Sequence, residues 1–137
     1  MDTEQLMEIA EKYRKRAYVP VSGFSVGAAL LCESGKVYGG CNIENSALSP
    51  GICAERTAFA KAISEGEKKF CKIAVAGGPE YREAAETPCP PCGVCRQMMA
   101  EFCDGSFQVV MKDGAGGYRI GTLDGLLPER FGLEHLK

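Results

Sequence analysis

Two short stretches constrain this chain more than anything else in it: Cys53-Ala54-Glu55-Arg56 and Pro91-Cys92-Gly93-Val94-Cys95-Arg96-Gln97. The first offers a thiol and, two residues on, a carboxylate; the second offers two thiols at C-x-x-C spacing. Three thiolates at ~2.3 Å fill three corners of a zinc tetrahedron and leave the fourth for water. A carboxylate that stands beside that water without being a ligand is what a proton shuttle requires. Either stretch alone is weak, because structural zinc sites and redox pairs also use C-x-x-C. The conjunction is stronger, since each stretch follows a strand-like segment and opens a helical one. A fold compatible with this pattern has to bring two helix starts to one place.

Bulk properties bound the remaining choices. At 137 residues the chain suits one domain spanning 1–137, large enough for a core without covalent staples. Its 45% hydrophobic and 25% charged content is ordinary for a globular protein. The net charge of −2 argues against a polynucleotide partner, which calls for a basic surface, and favours a small substrate. No apolar run is long enough to cross a bilayer. Met1 to Tyr18 is charged throughout and lacks a signal-peptide core, so a cytoplasmic location is expected. In that compartment eight cysteines read as metal ligands and buried free thiols, not as four disulfides.

Periodicity orders the elements. Asp2 and Gln5 fit a capping box, and Leu6, Ile9, Ala10, Tyr13 and Ala17 recur at helical spacing, predicting a helix over Thr3 to Ala17. Phe24 to Leu31 and Val37 to Asn42 read as a hairpin around the turn Glu33-Ser34-Gly35-Lys36. Helical spacing resumes at Cys53, with Ala54, Ala58, Phe59, Ala62 and Ile63 inward, and stops before Gly66. Lys72 to Ala76 is a short strand, and Gly77 to Thr87 a loop. Gly93 to Phe102 is a third helix, with Cys95, Met98, Met99 and Phe102 inward. Phe107 to Met111 and Tyr118 to Thr122 are strands, followed by a helical segment at Leu123 to Leu127 and a tail. The order α-β-β-α-β-α-β-β-α predicts a three-layer α/β/α sandwich with a mixed five-stranded sheet.

Both cysteine stretches fall at helix N-termini, whose partial positive charge favours thiolate over thiol. Three thiolates on one zinc ion carry about one net negative charge, and Arg56 is the side chain placed to offset it. Cys89 forms a second, overlapping C-x-x-C with Cys92, but lies in the proline-rich approach and is read as a spectator. Cys32, Cys41, Cys71 and Cys103 sit in apolar contexts and are read as buried free thiols. His135, the only histidine, falls in the tail and is read as solvated.

With these residues in place, the chain resembles the small homotetrameric zinc-dependent cytidine deaminases over nearly its whole length. The resemblance rests on separate blocks in order: Phe24 to Leu31, Gly40 to Asn45, Cys53 to Ala58, Pro91 to Gln97, and Leu126-Leu127-Pro128. It implies hydrolytic deamination of cytidine and deoxycytidine to the uridine products and ammonia, a step of pyrimidine salvage. Zinc on Cys53, Cys92 and Cys95 would activate a water, and the position matching Glu55 would shuttle its proton to the ring and then to the leaving amine. Nucleobase deaminases of this kind pair a three-cysteine zinc site with a glutamate that is not a ligand. The resemblance places the Ala54 backbone and Phe24 at the base, and Asn42 and Glu44 at the ribose hydroxyls. Residues two apart on an extended segment share a face, which suits the last assignment. Phe131 matches a phenylalanine that reaches a neighbouring subunit's site, implying a homotetramer with shared active sites. The chain departs from the family at Val21 and Leu48, where tyrosine is usual, and at Pro90, where serine is usual; its segment from Gly77 to Pro90 is longer.

Three other readings compete. A deaminase of a modified cytosine nucleoside, such as blasticidin S, shares the zinc pattern but lacks the Phe24 to Leu31 and Gly40 to Asn45 blocks. A polynucleotide deaminase usually has histidine as its first ligand and a basic surface. A zinc-stapled binding module without activity requires a fourth protein ligand and leaves Glu55 without a purpose.

Overall fold

The computed structural model describes residues 1–137. Its elements follow the expected order: α1 Thr3–Arg14, β1 Phe24–Cys32, β2 Val37–Cys41, α2 Ala54–Ser64, β3 Phe70–Pro79, α3 Gly93–Phe102, β4 Gln108–Lys112, β5 Tyr118–Thr122 and α4 Leu123–Leu126, with a 3-10 turn at Leu133–Leu136. The strands form one sheet in the order β2-β1-β3-β4-β5. Only β3 and β4 pair in parallel. That step requires a crossover, and α3 supplies it.

Alternation along the strands builds two apolar faces. On one face Ala28, Leu30 and Cys32 of β1, Ile73 and Val75 of β3, and Val109 and Met111 of β4 meet α2 and α3 through Ala58, Phe59, Ala62, Cys95 and Met99. On the other, Ala29, Ala74, Ala76 and Val110 meet Leu6, Met7 and Ala10 of α1. The architecture is the three-layer α/β/α sandwich with a mixed sheet. Small residues on the α1 side let that helix lie close: a Cβ on Gly27 would overlap the Ala10 carbonyl oxygen and the Arg14 amide. On the opposite side Gly40 serves the same purpose, since a Cβ there would fall 2.6 Å from the Ala58 amide and 2.7 Å from the Ala54 carbonyl oxygen. The start of α2 is thereby seated against β2.

Several boundaries differ from those read by periodicity. The capping box of Asp2 and Gln5 is formed, but α1 ends at Arg14 instead of Ala17. Tyr18 leaves the helix because its amide donates to Asn42 O and its carbonyl accepts from Glu44 N, a short parallel bridge beyond β2. The buried stripe of α1 is Leu6, Met7, Ala10 and Arg14, with Ile9, Tyr13 and Ala17 only partly covered. Strand β3 extends through Gly77 and Gly78, expected to be loop, because β1 offers ladder partners as far as Phe24 opposite Pro79. Ile63 and Phe102 are on the solvent side of their helices, although the Phe102 ring still meets Phe70 edge-on at 6.5 Å. Cys71 is exposed, not buried, because the β1–β3 register skips it between Lys72 and Phe70. No helix is long and apolar enough to cross a membrane.

Candidate active site

Cys53 is the N-cap of α2 and Cys92 the N-cap of α3, both in extended backbone conformation, and neither side chain caps its own helix. The two sulfurs are therefore free to turn toward each other. Cys53 Sγ lies 3.7 Å from Cys92 Sγ, and Cys92 Sγ lies 3.6 Å from Cys95 Sγ. All three fall within 4.8 Å of one another. A tetrahedral zinc with Zn–S bonds of ~2.3 Å sets its sulfurs ~3.8 Å apart, so the spacing fits the ion. The cluster comprises these three side chains alone. Cys89 stays outside it, and His135 is in the tail, its ring stacked on Phe131 at 5.2 Å. A three-ligand set is the open arrangement of a catalytic site, not the closed tetrahedron of a structural one.

The charge environment favours thiolate. The Cys95 thiol hydrogen-bonded to it, and then Arg56, bring Cys53 down to about 5 against the opposing effect of burial. Cys95 moves upward, because its proton is shared with Cys53 and it is buried. Arg56 donates through Nη2 to Cys53 Sγ at 3.7 Å, while its buried Nε has no partner within the chain. Thr57 Oγ1 lies 3.1 Å from Cys41 O and 3.2 Å from Cys53 O and shares its one proton between these two acceptors, holding the first turn of α2 against the end of β2. Both thiol stretches also sit at helix N-termini, which carry partial positive charge.

Glu55, in that same first turn, is only 4% exposed. Burial raises its carboxyl to about 7, with its own backbone amide partly offsetting the rise. A carboxyl held there is equipped to accept and return a proton near neutrality.

A cavity of about 260 Å³ opens beside Cys53 and Arg56 and is walled by Val21, Asn42, Glu44 and Leu48. Asn42 accepts from Val26 N at 2.8 Å and donates to Phe24 O at 2.9 Å, extending β1 pairing with a side chain. Glu44 accepts from the Val21 and Ser22 amides and from the Ser22 hydroxyl. The two side chains expected at a sugar thus share one cavity with a thiol ligand, and both also shape the mouth of β1. Val21 and Leu48 present aliphatic surface there, Leu48 with a left-handed φ of 64°.

The half-exposed Phe24 and the Cys89 sulfur flank Gly77, where no Cβ has room. Burial, then the nearby Glu55 and Cys53, pushes the Cys89 thiol up to about 12. Ala54 is fully buried at the start of α2. Phe131 is 55% exposed and does not line the cavity; its ring stacks on His135 and its carbonyl accepts from Gln97 Nε2 at 2.8 Å.

Three residues of the surrounding frame escaped sequence reasoning. Arg14 is buried and donates to Ser25 O, Pro79 O and Arg82 O, joining α1 to β1, to β3 and to the segment leading toward Cys92. A charged residue in register with Leu6, Met7 and Ala10 was the available signal. Arg96 donates to Pro91 O at 2.7 Å and to Leu126 O at 2.6 Å, bracing the second thiol stretch against the C-terminal arm. Ser22 bonds Glu44, and nothing in its local sequence announces that contact.

Comparison with known proteins agrees with this geometry. A family model for the cytidine and deoxycytidylate deaminase zinc-binding region matches residues 1–111. A cytidine deaminase from Sporosarcina psychrophila is 49% identical over 136 residues, 99% of this chain and 96% of that protein. One from Halalkalibacterium halodurans is 43% identical over 136 residues, 99% of this chain and 98% of its own length. The crystal structure of cytidine deaminase from Burkholderia pseudomallei superposes with a TM-score of 0.84 at 41% identity, covering 96% of this chain and 100% of the other. Three converging thiols, a buried glutamate between two helix starts, and this breadth of match lead to one conclusion: the chain belongs to the zinc-dependent cytidine and deoxycytidylate deaminase family.

Proposed function

We propose that this protein is a zinc-dependent cytidine deaminase, hydrolysing cytidine and deoxycytidine to uridine and deoxyuridine with release of ammonia. The observation that carries the reading is the open three-sulfur cluster with Glu55 buried two residues from one of its members. Zinc held by Cys53, Cys92 and Cys95 supplies a Lewis acid that lowers the pKa of water toward ~7.

The chain's own residues account for the remaining steps. Arg56 and the starts of α2 and α3 offset the negative charge of the thiolates. The Glu55 carboxylate accepts a proton from the attacking water and delivers it to the ring nitrogen beside carbon 4; it then takes the second proton from the hydroxyl now on carbon 4 and delivers it to the amine, so that the C4–N bond breaks as the C4 carbonyl forms. Cytidine and water go in; uridine and ammonia come out, and Glu55 ends as it began. Phe24 and the Ala54 backbone hold the base, and Asn42 and Glu44 take up sugar hydroxyls from the wall of the same cavity.

We read the whole chain, 1–137, as one catalytic domain acting in cytoplasmic pyrimidine salvage. The exposure of Phe131 supports a homotetramer in which that ring completes a neighbour's site. The test is ammonia release from cytidine by the wild type and by Glu55→Ala at equal zinc content. Loss of turnover with zinc retained supports the reading; unchanged turnover overturns it.

A further inference from the structure

Four hydrogen bonds converge on Ser22 and its contacts. The Ser22 hydroxyl donates to Glu44 Oε2 at 2.5 Å and accepts from the Phe24 amide at 3.0 Å. The Ser22 and Val21 amides donate to Glu44 Oε1 at 3.0 and 2.9 Å. A hydroxyl has one proton to give, and here it goes to the carboxylate. Three of the roughly four acceptor positions of Glu44 are therefore used within the chain. The carboxylate can neither swing nor rotate without breaking them, and Glu44 lines the cavity beside Asn42 and Cys53.

We propose that Ser22 is a positioning residue for sugar recognition: it aims Glu44 at the sugar and, through the same oxygen, fixes the backbone that carries Phe24. The proposal rests on Glu44 being a sugar-contacting residue, as set out above. Ser22 is exposed and packs in no core cluster, so its role is to orient and not to fill space. Its hydroxyl is also the main reason the Glu44 carboxyl is held below the ordinary carboxylate range, followed by its amide. Glu44 thus stays ionised and acceptor-only wherever a sugar hydroxyl is to donate to it.

The discriminating experiment crosses Ser22 with the sugar. Steady-state constants are measured for wild type, Ser22→Ala and Ser22→Thr with cytidine and with 2′,3′-dideoxycytidine, the latter as an inhibitor of cytidine turnover if it is not itself turned over. Removing the hydroxyl is expected to raise KM for cytidine about tenfold with kcat changed less than twofold. The KM or Ki of the dideoxy compound is expected to change several-fold less than that of cytidine, because it lacks the 2′- and 3′-hydroxyls and feels only the loss of the Phe24 backbone contact. Ser22→Thr, which keeps an Oγ donor, is expected to recover most of the loss. Equal losses on both compounds, or a threonine variant as impaired as the alanine one, overturn the positioning role and leave the deaminase reading intact. Wild-type protein that releases no ammonia from cytidine overturns the deaminase reading, and the proposal falls with it.

Discussion

Replacing Arg14 with methionine removes a buried charged group that, with Glu11, joins α1 to the segment feeding the second thiol stretch. The guanidinium is 2% exposed. It donates to Ser25 O at 3.2 Å, Arg82 O at 3.1 Å and Pro79 O at 2.7 Å, and its Nη1 lies 3.7 Å from Glu11 Oε2. Glu11 in turn accepts the Ala85 amide through Oε1, while its buried Oε2 has no hydrogen-bond partner. Each bond from a charged donor is worth ~1.5–3 kcal/mol, but the three are not additive once the segment relaxes. Removing one partner of a buried ion pair costs ~3–5 kcal/mol, because the other charge is left uncompensated. We therefore expect Arg14→Met to lose ~3–5 kcal/mol. For a chain of this size that corresponds to a drop in Tm on the order of 10–15 °C. Thermal unfolding followed by circular dichroism, with zinc saturating for both proteins, measures it. Adding Glu11→Gln to Arg14→Met should restore ~1 kcal/mol or more, since the stranded charge is then gone. A fall in Tm below ~3 °C, or a double variant as destabilised as the sum of the singles, would refute the reasoning.

Other outcomes follow from the same contacts. Gly40→Ala should cost ~1–3 kcal/mol, since its Cβ meets the backbone of α2 and not a movable side chain; because that turn carries Cys53 and Glu55, kcat should fall too, which activity assays well below Tm would show. Arg56→Gln should keep one zinc per chain by atomic absorption yet lower kcat, because the sulfur contact through Nη2 loses its charge; full activity would remove Arg56 from the charge balance. Stripping zinc with a chelator should abolish ammonia release and expose Cys53 and Cys92 to thiol reagents, while Cys95, fully buried, reacts more slowly; restored zinc should reverse both effects.

Much of the fold was legible because it follows from local pattern. The Asp2 capping box, the Gly35 turn with φ of 92°, the limits of α3 and the limits of β5 were all read from spacing and turn chemistry. Ends decided by a partner were not legible. Gly77 and Gly78 belong to β3 only because β1 lies beside them, and α1 stops early only because Tyr18 meets Asn42 and Ile43. Isolated from their neighbours, glycines signal a loop and an amphipathic stripe signals more helix.

The candidate site divides in the same way. Sequence alone determined which side chains are candidates for the chemistry: thiols at Cys53, Cys92 and Cys95 and a carboxylate at Glu55 have few uses together, and each falls at a helix start for local reasons. Only the tertiary structure decided that two helix starts meet within sulfur contact, that Cys89 lies outside that contact, and that Glu55 is buried enough to hold a proton near neutrality. It also disclosed the frame of Arg14, Arg96 and Ser22, whose partners lie far along the chain or past a turn. Residue type and spacing report what a group can do. Distance and desolvation, which set how strongly it does so, exist only once the layers have packed.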